Sequence, residues 1–156
     1  MNIQRYLIAM LTLTLAACGG GSGQSDIPPA QPAAASNVTI GQHVIHFSAI
    51  NTDELPLDVA QAYDIVRSKN RAMLNLSIVT ADGGQPVEAD IDIRTANLTG
   101  QSKDLSLRQI NEQEAIYYIG VLTVANRETL IFDISVRPPG DTNTHKVRFQ
   151  RQFYTD

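Results

Sequence analysis

Between Val38 and Asp156, apolar and polar residues alternate with a period of two, the repeat of a strand with one buried face. The cleanest stretch is Val87 to Arg94, where Val87, Ala89, Ile91 and Ile93 fall on one face and Glu88, Asp90, Asp92 and Arg94 on the other. Met73 to Thr80 precedes it, with Leu74, Leu76 and Ile78 on one side. The glycines of Ala81-Asp82-Gly83-Gly84-Gln85 permit a reversal, which predicts that the two segments form a hairpin. Five more strands are predicted over His43 to Ile50, Leu105 to Ile110, Ala115 to Val124, Leu130 to Arg137 and Lys146 to Tyr154. Ala115 to Val124 is apolar on both faces and belongs at a central position. The stripes Leu130, Phe132, Ile134, Val136 and Val147, Phe149, Phe153 should meet in the core. Leu57 to Ile65, after Pro56 and with Asp58 near its positive end, reads as one short helix capping an end of the fold. The pattern is all-β: an immunoglobulin-like antiparallel β-sandwich of about seven strands with one short helix.

The alternation stops before Val38. Arg5 introduces an apolar run from Tyr6 to Ala17, too short to span a bilayer as a helix, and the run ends in Leu15-Ala16-Ala17-Cys18. This ending resembles a bacterial lipobox, which implies cleavage before Cys18 and acylation of its thiol, with the membrane held through that lipid. Gly19 stands where an aspartate would resemble the inner-membrane retention signal, so the expected location is the outer membrane, with the domain facing the periplasm. Gly19 to Asn37 contains one large apolar residue among glycines, serines, prolines and alanines, and cannot bury enough surface to offset its ordering entropy. As a flexible linker its ends would lie on the order of 25 Å apart. The organisation is therefore a signal peptide over 1–17, a lipidated cysteine and linker over 18–37, and a sandwich domain over 38–156.

Charge and cysteine content narrow the function. The formal net charge is -4, and becomes -5 once Met1 to Ala17, which holds Arg5 and no acid, is removed. A mildly acidic chain has no electrostatic footprint for nucleic acid. Cys18 is the only cysteine, so no disulfide forms within the chain and stability must come from the core.

Several groups of side chains are candidates for chemistry. Glu88, Asp90 and Asp92 share a strand face at spacings of roughly 6.5 to 7 Å, but calcium ligands usually come from loops that wrap the ion, and a solvated face is the plainer reading. His43 and His46 are three apart on an extended segment and point to opposite faces, and His145 lies in a turn, so no metal site or cofactor is expected. The chain has no Gly-x-Ser-x-Gly elbow and no free thiol once Cys18 is acylated. Gly19 to Gly23 lacks a phosphate-loop ending, and no catalytic residue is assigned. Tyr117 and Tyr118 read as core and sheet-surface residues. Arg67, Lys69 and Arg71 stand out in an acidic protein as a candidate contact for an anion or an acidic partner, against the plainer reading of charges guarding a strand edge.

Arg67-Ser68-Lys69-Asn70-Arg71, Asn97-Leu98-Thr99-Gly100-Gln101, Ala115-Ile116-Tyr117-Tyr118-Ile119 and the ending Phe149-Gln150-Arg151-Gln152-Phe153-Tyr154-Thr155-Asp156 together resemble the bacterial domain-of-unknown-function family 4426. The resemblance covers nearly all of Val38 to Asp156 and implies an exported single small domain, without an established activity, ligand or catalytic residue. It departs from the family at Leu55-Pro56-Leu57-Asp58-Val59-Ala60, where the helix start should differ locally. The function these features favour is a non-enzymatic, monomeric envelope lipoprotein that binds an envelope protein or polymer. The competing readings are a small periplasmic enzyme acting on cell wall or lipid, which a pocket joining His43, His46 or His145 to acids would favour, and a purely structural lipoprotein.

Overall fold

The computed structural model describes residues Ser36–Asp156. Cys18, the signal peptide and the linker up to Ala35 lie outside the described residues. Nine strands form two antiparallel sheets. The first contains β1 (Asn37–Ile40), β2 (His43–Asn51), β3 (Arg71–Thr80), β7 (Ile116–Thr123) and β6 (Arg108–Asn111), in that order across the sheet. The second contains β5 (Ser102–Lys103), β4 (Asp90–Asn97), β8 (Glu128–Arg137) and β9 (His145–Phe153).

Alternation explains which faces are buried. Ile45 and Phe47 from β2, Leu74, Leu76 and Ile78 from β3, and Leu130, Phe132, Ile134 and Val136 from β8 all point between the sheets and are buried. The stripes of β8 and β9 do meet, as neighbours within one sheet. Phe149 stacks on its cross-strand partner Phe132 at 4.8 Å and, across the sandwich, on Phe47 at 4.7 Å. The two-faced strand β7 lies between β3 and β6, as its pattern required. Tyr118 and Leu122 enter the main core, whereas Ile119 packs on the opposite face with Leu55, Ala60, Ile65 and Met73.

That second cluster explains the helix, α1 (Leu57–Ala62). Ala60, with Val59 beside it, covers the outer face of the five-stranded sheet, so α1 packs on a face and does not cap the sandwich. It is also shorter than the predicted Leu57 to Ile65: the chain turns at Tyr63, and Asp64 takes a positive φ of 52°.

Two further expectations change. Met73–Thr80 and Val87–Arg94 do not form a hairpin, because β3 belongs to the five-stranded sheet and β4 to the other. Only the bridge Val79 to Pro86 joins their ends before the chain crosses over. The strand expected over Leu105 to Ile110 starts only at Arg108, since Leu105 and Leu107 lie on the passage from β5 to β6 and pack into the core. The remaining two strands, β1 and β5, are short edge strands.

Candidate functional site

Antiparallel pairing divides the loops between two ends of the sandwich. One end collects the turn after β2, the loop Tyr63–Asn70, the turn between β4 and β5, the turn between β7 and β8, and Tyr154 after β9. Arg67, Lys69 and Arg71 lie here, all exposed.

Two buried side chains fix the backbone that carries these cations. Asn51, at the end of β2, donates from Nδ2 to the carbonyl of Lys69 at 2.8 Å and to that of Tyr154 at 3.0 Å. The Thr52 hydroxyl is fully buried. It accepts the Ser68 N–H at 2.9 Å, and the carbonyls of Val66 and Ser68 lie 2.9 and 3.1 Å from it as acceptors for its single proton. Arg67 donates from Nη2 to the Asp53 carbonyl at 2.6 Å. The cluster is thus a set of solvent-facing cations on a backbone tied to the core, which lowers the ordering cost of a contact. Asn51 and Thr52 escaped the sequence reading. Their only signal was a pair of polar residues where the apolar strand ends.

The carboxylates Glu88, Asp90 and Asp92 are not gathered around a cation. Glu88 accepts from Gln109 Nε2 at 2.9 Å and Asp90 pairs with Arg137 at 2.6 Å. Asp92 lines a shallow depression on the outer face of the four-stranded sheet with Arg94, Asp133, Ser135, Lys146 and Arg148. There Arg148 clamps Asp133 with two hydrogen bonds of 2.5 and 2.7 Å. The clamp holds the Asp133 carboxyl below the usual range, with smaller help from the charges of Arg94 and Lys146.

At the opposite end of the sandwich, His145 Nε2 lies 2.6 Å from Asp141 Oδ2. That contact, followed by the Asn143 N–H, lowers the Asp141 pKa, and His43 is near enough to add to the effect. His46 lies apart from them, exposed and lining a different hollow with Ser48 and Ser77. Among the described residues no group of three or more His, Cys, Asp or Glu side chains is placed to hold a metal ion. Tyr118 is a core residue whose hydroxyl accepts the Ala89 N–H at 2.8 Å, and burial raises its pKa. Tyr117 is half-buried on the helix-covered face.

The architecture defines a small two-sheet antiparallel β-sandwich whose basic loop is held to the core by Asn51 and Thr52. The profile of the domain of unknown function DUF4426 matches residues 37–156, and the chain belongs to that family. A DUF4426 family protein of Pseudomonas aeruginosa PAO1, known from its crystal structure, is 30% identical. It superposes with a TM-score of 0.66 over 77% of this chain and 94% of its own. FetP of uropathogenic Escherichia coli strain F11, expressed recombinantly in the periplasm of E. coli, superposes with a TM-score of 0.54 at 12% identity, over 76% of this chain and 92% of its own. A copper-bound variant of the same FetP gives a TM-score of 0.54 at 10% identity, over 75% and 93% of the two chains. At those identities FetP shares the fold alone. No curated protein matches the chain.

Proposed function

We propose that the protein is a non-enzymatic lipoprotein of the bacterial envelope, anchored in the outer membrane through acylated Cys18. Its periplasm-facing sandwich contacts an anionic component of the envelope through Arg67, Lys69 and Arg71. The observation that carries this reading is the pinned loop: buried Asn51 and Thr52 hold the backbone from Val66 to Lys69 while the three cations face solvent. Charges that only guard a strand edge need no such support. Copper is not carried over from FetP, since the shared feature is the fold and His43, Asp141 and His145 do not form a three-ligand group. The same arrangement gives no support to the enzyme reading.

Site-specific photo-crosslinking from the loop in intact cells tests the proposal. One discrete adduct is expected, and reversal of Arg67, Lys69 and Arg71 to Glu should weaken it strongly without changing the fold. Exposed charges contribute little to stability but much to encounter and register. Raised salt should weaken the adduct too, because screening tightens below roughly 8 Å above physiological ionic strength. An unchanged adduct in the triple reversal returns these residues to edge protection. Membrane anchoring is tested separately by Cys18→Ser, which should release the protein from the membrane fraction.

A further inference from the structure

The exposed large apolar side chains among the described residues are Leu57 (59% exposed), Val66 (63%), Leu98 (66%) and Tyr154 (60%). Their positions in the fold are not scattered. Val66 belongs to the pinned loop, Leu98 to the turn between β4 and β5, and Tyr154 follows β9, while Leu57 opens α1 directly after the turn that ends β2. Leu57 opens the helix on the adjoining sheet face, and Val66, Leu98 and Tyr154 lie at the end of the sandwich that carries Arg67, Lys69 and Arg71. Arg127, in the turn between β7 and β8, adds a fourth exposed cation there. The opposite end, with the turns at Gly41, Asp82 and Gly140 and the His145–Asp141 pair, presents none.

Strand β1 is directed away from this end. Asn37 pairs with His46 and Ile40 with His43, so β1 runs antiparallel to β2, and its first residue points toward the end where β2 finishes at Asn51. Eighteen residues separate Cys18 from Asn37, a length of chain sufficient for a lipid on Cys18 to reach the apolar and basic end. We infer that the anionic component contacted by Arg67, Lys69 and Arg71 is the phosphate-bearing lipid surface to which the protein is itself attached, and that Val66, Leu98 and Tyr154 dip into the headgroup region beside them. The inference rests on the anchored-lipoprotein reading above.

The chemistry matches that surface. Arg and Lys meet lipid phosphates, and a tyrosine with isolated aliphatic side chains suits the boundary between headgroups and acyl chains. Glu54, Asp58 and Asp64 are exposed at or beside the same end and offset much of the positive charge, so the apolar side chains share the attraction and added salt weakens docking only in part. A lipid anchor makes the contact intramolecular, which lets individually weak contacts orient the domain.

The test uses the acylated full chain in vesicles of phosphatidylethanolamine and phosphatidylglycerol. A fluorophore is attached at Ala125→Cys, at the docking end, or at Asp82→Cys, at the opposite end, with a quencher carried on the lipid. Quenching should be several-fold stronger at position 125 than at 82. The variant V66S/L98S/Y154S should still float with the vesicles through Cys18 but lose that difference. Equal quenching at the two ends of floating wild-type protein overturns the docking and leaves the anchor standing. Failure of the wild type to float overturns both, whereas flotation of Cys18→Ser equal to wild type overturns the anchor alone and leaves the quenching contrast to decide the docking.

Discussion

Glu128 illustrates how a single side chain joins separate parts of this fold. It opens β8, and its carboxylate takes Lys103 Nζ at 2.7 Å and the Ala125 N–H at 2.9 Å, tying β5 and the turn after β7 to one point. Burial by itself pushes this carboxyl up, but the hydrogen bonds from Lys103 and Ala125, the charge of Lys103 and the Asn97 amide outweigh it, and the pKa falls below the ordinary 4.5. A carboxyl depressed in the folded state contributes stability that is fully present above its unfolded value and is lost as the pH falls through its folded value. Glu128→Gln should therefore cost roughly 1 to 2 kcal/mol at neutral pH, discounted for the partial exposure of Lys103. The gap between wild type and variant should close on acidification below the ordinary carboxylate range. Urea denaturation at a series of pH values measures it, and a gap that stays constant with pH would remove Glu128 from the account.

At the scale of elements, Gly120 in β7 leaves room for a close approach where the passage from one sheet to the other crosses the strand. A Cβ there would lie 2.5 Å from Leu105 Cδ1, 2.9 Å from the Ser106 carbonyl oxygen and 3.1 Å from Leu107 Cδ2. The leucine ends can shift, but the carbonyl belongs to the backbone of the crossing. Gly120→Ala should destabilise by about 1 to 3 kcal/mol, the usual cost of overpacking, with the fold retained. A melting temperature equal to wild type would show that the crossing yields. This passage also marks where the sequence stops being readable. Alternation identified strand faces correctly in β3, β4, β7, β8 and β9, because burial repeats every second residue wherever a strand lies in a sheet. It carries no information on pairing partners. Ala81 to Gln85 reads equally well as a hairpin turn and as the start of a crossover, and the choice was made by distant residues: Leu74 faces Ala49 and Gly120, while Ile93 faces Ile134. The basic cluster was visible as alternating cations. Its support by Asn51 and Thr52 was not, since a hydrogen bond from Asn51 to the Tyr154 carbonyl joins residues 103 positions apart.

For the whole molecule, the distribution of buried residues indicates which part of the chain folds by itself. The main core runs from Ile45 to Phe153 and takes partly buried Val38 and Ile40 from β1, while α1 covers a second cluster on the outer face. All of these residues lie within Ser36–Asp156. Ser36 itself belongs to the domain, because its carbonyl accepts the Phe47 N–H at 2.8 Å. The domain therefore includes Ser36, two residues before the Val38 at which the alternation begins. About 120 residues with two packed sheets and no disulfide make an ordinary two-state domain. The fragment Ser36–Asp156 should fold as a monomer with a far-ultraviolet circular dichroism spectrum dominated by β-structure and one cooperative melt. Starting instead at Ile40 removes Asn37, Val38 and Thr39, three of the four pairs that β1 makes with β2, and uncovers the edge of β2. That shorter fragment should melt at lower temperature and self-associate through the bared edge. If the two fragments melt alike and both remain monomeric, β1 is dispensable, and the direction of the chain's entry into the domain would no longer be fixed by strand pairing.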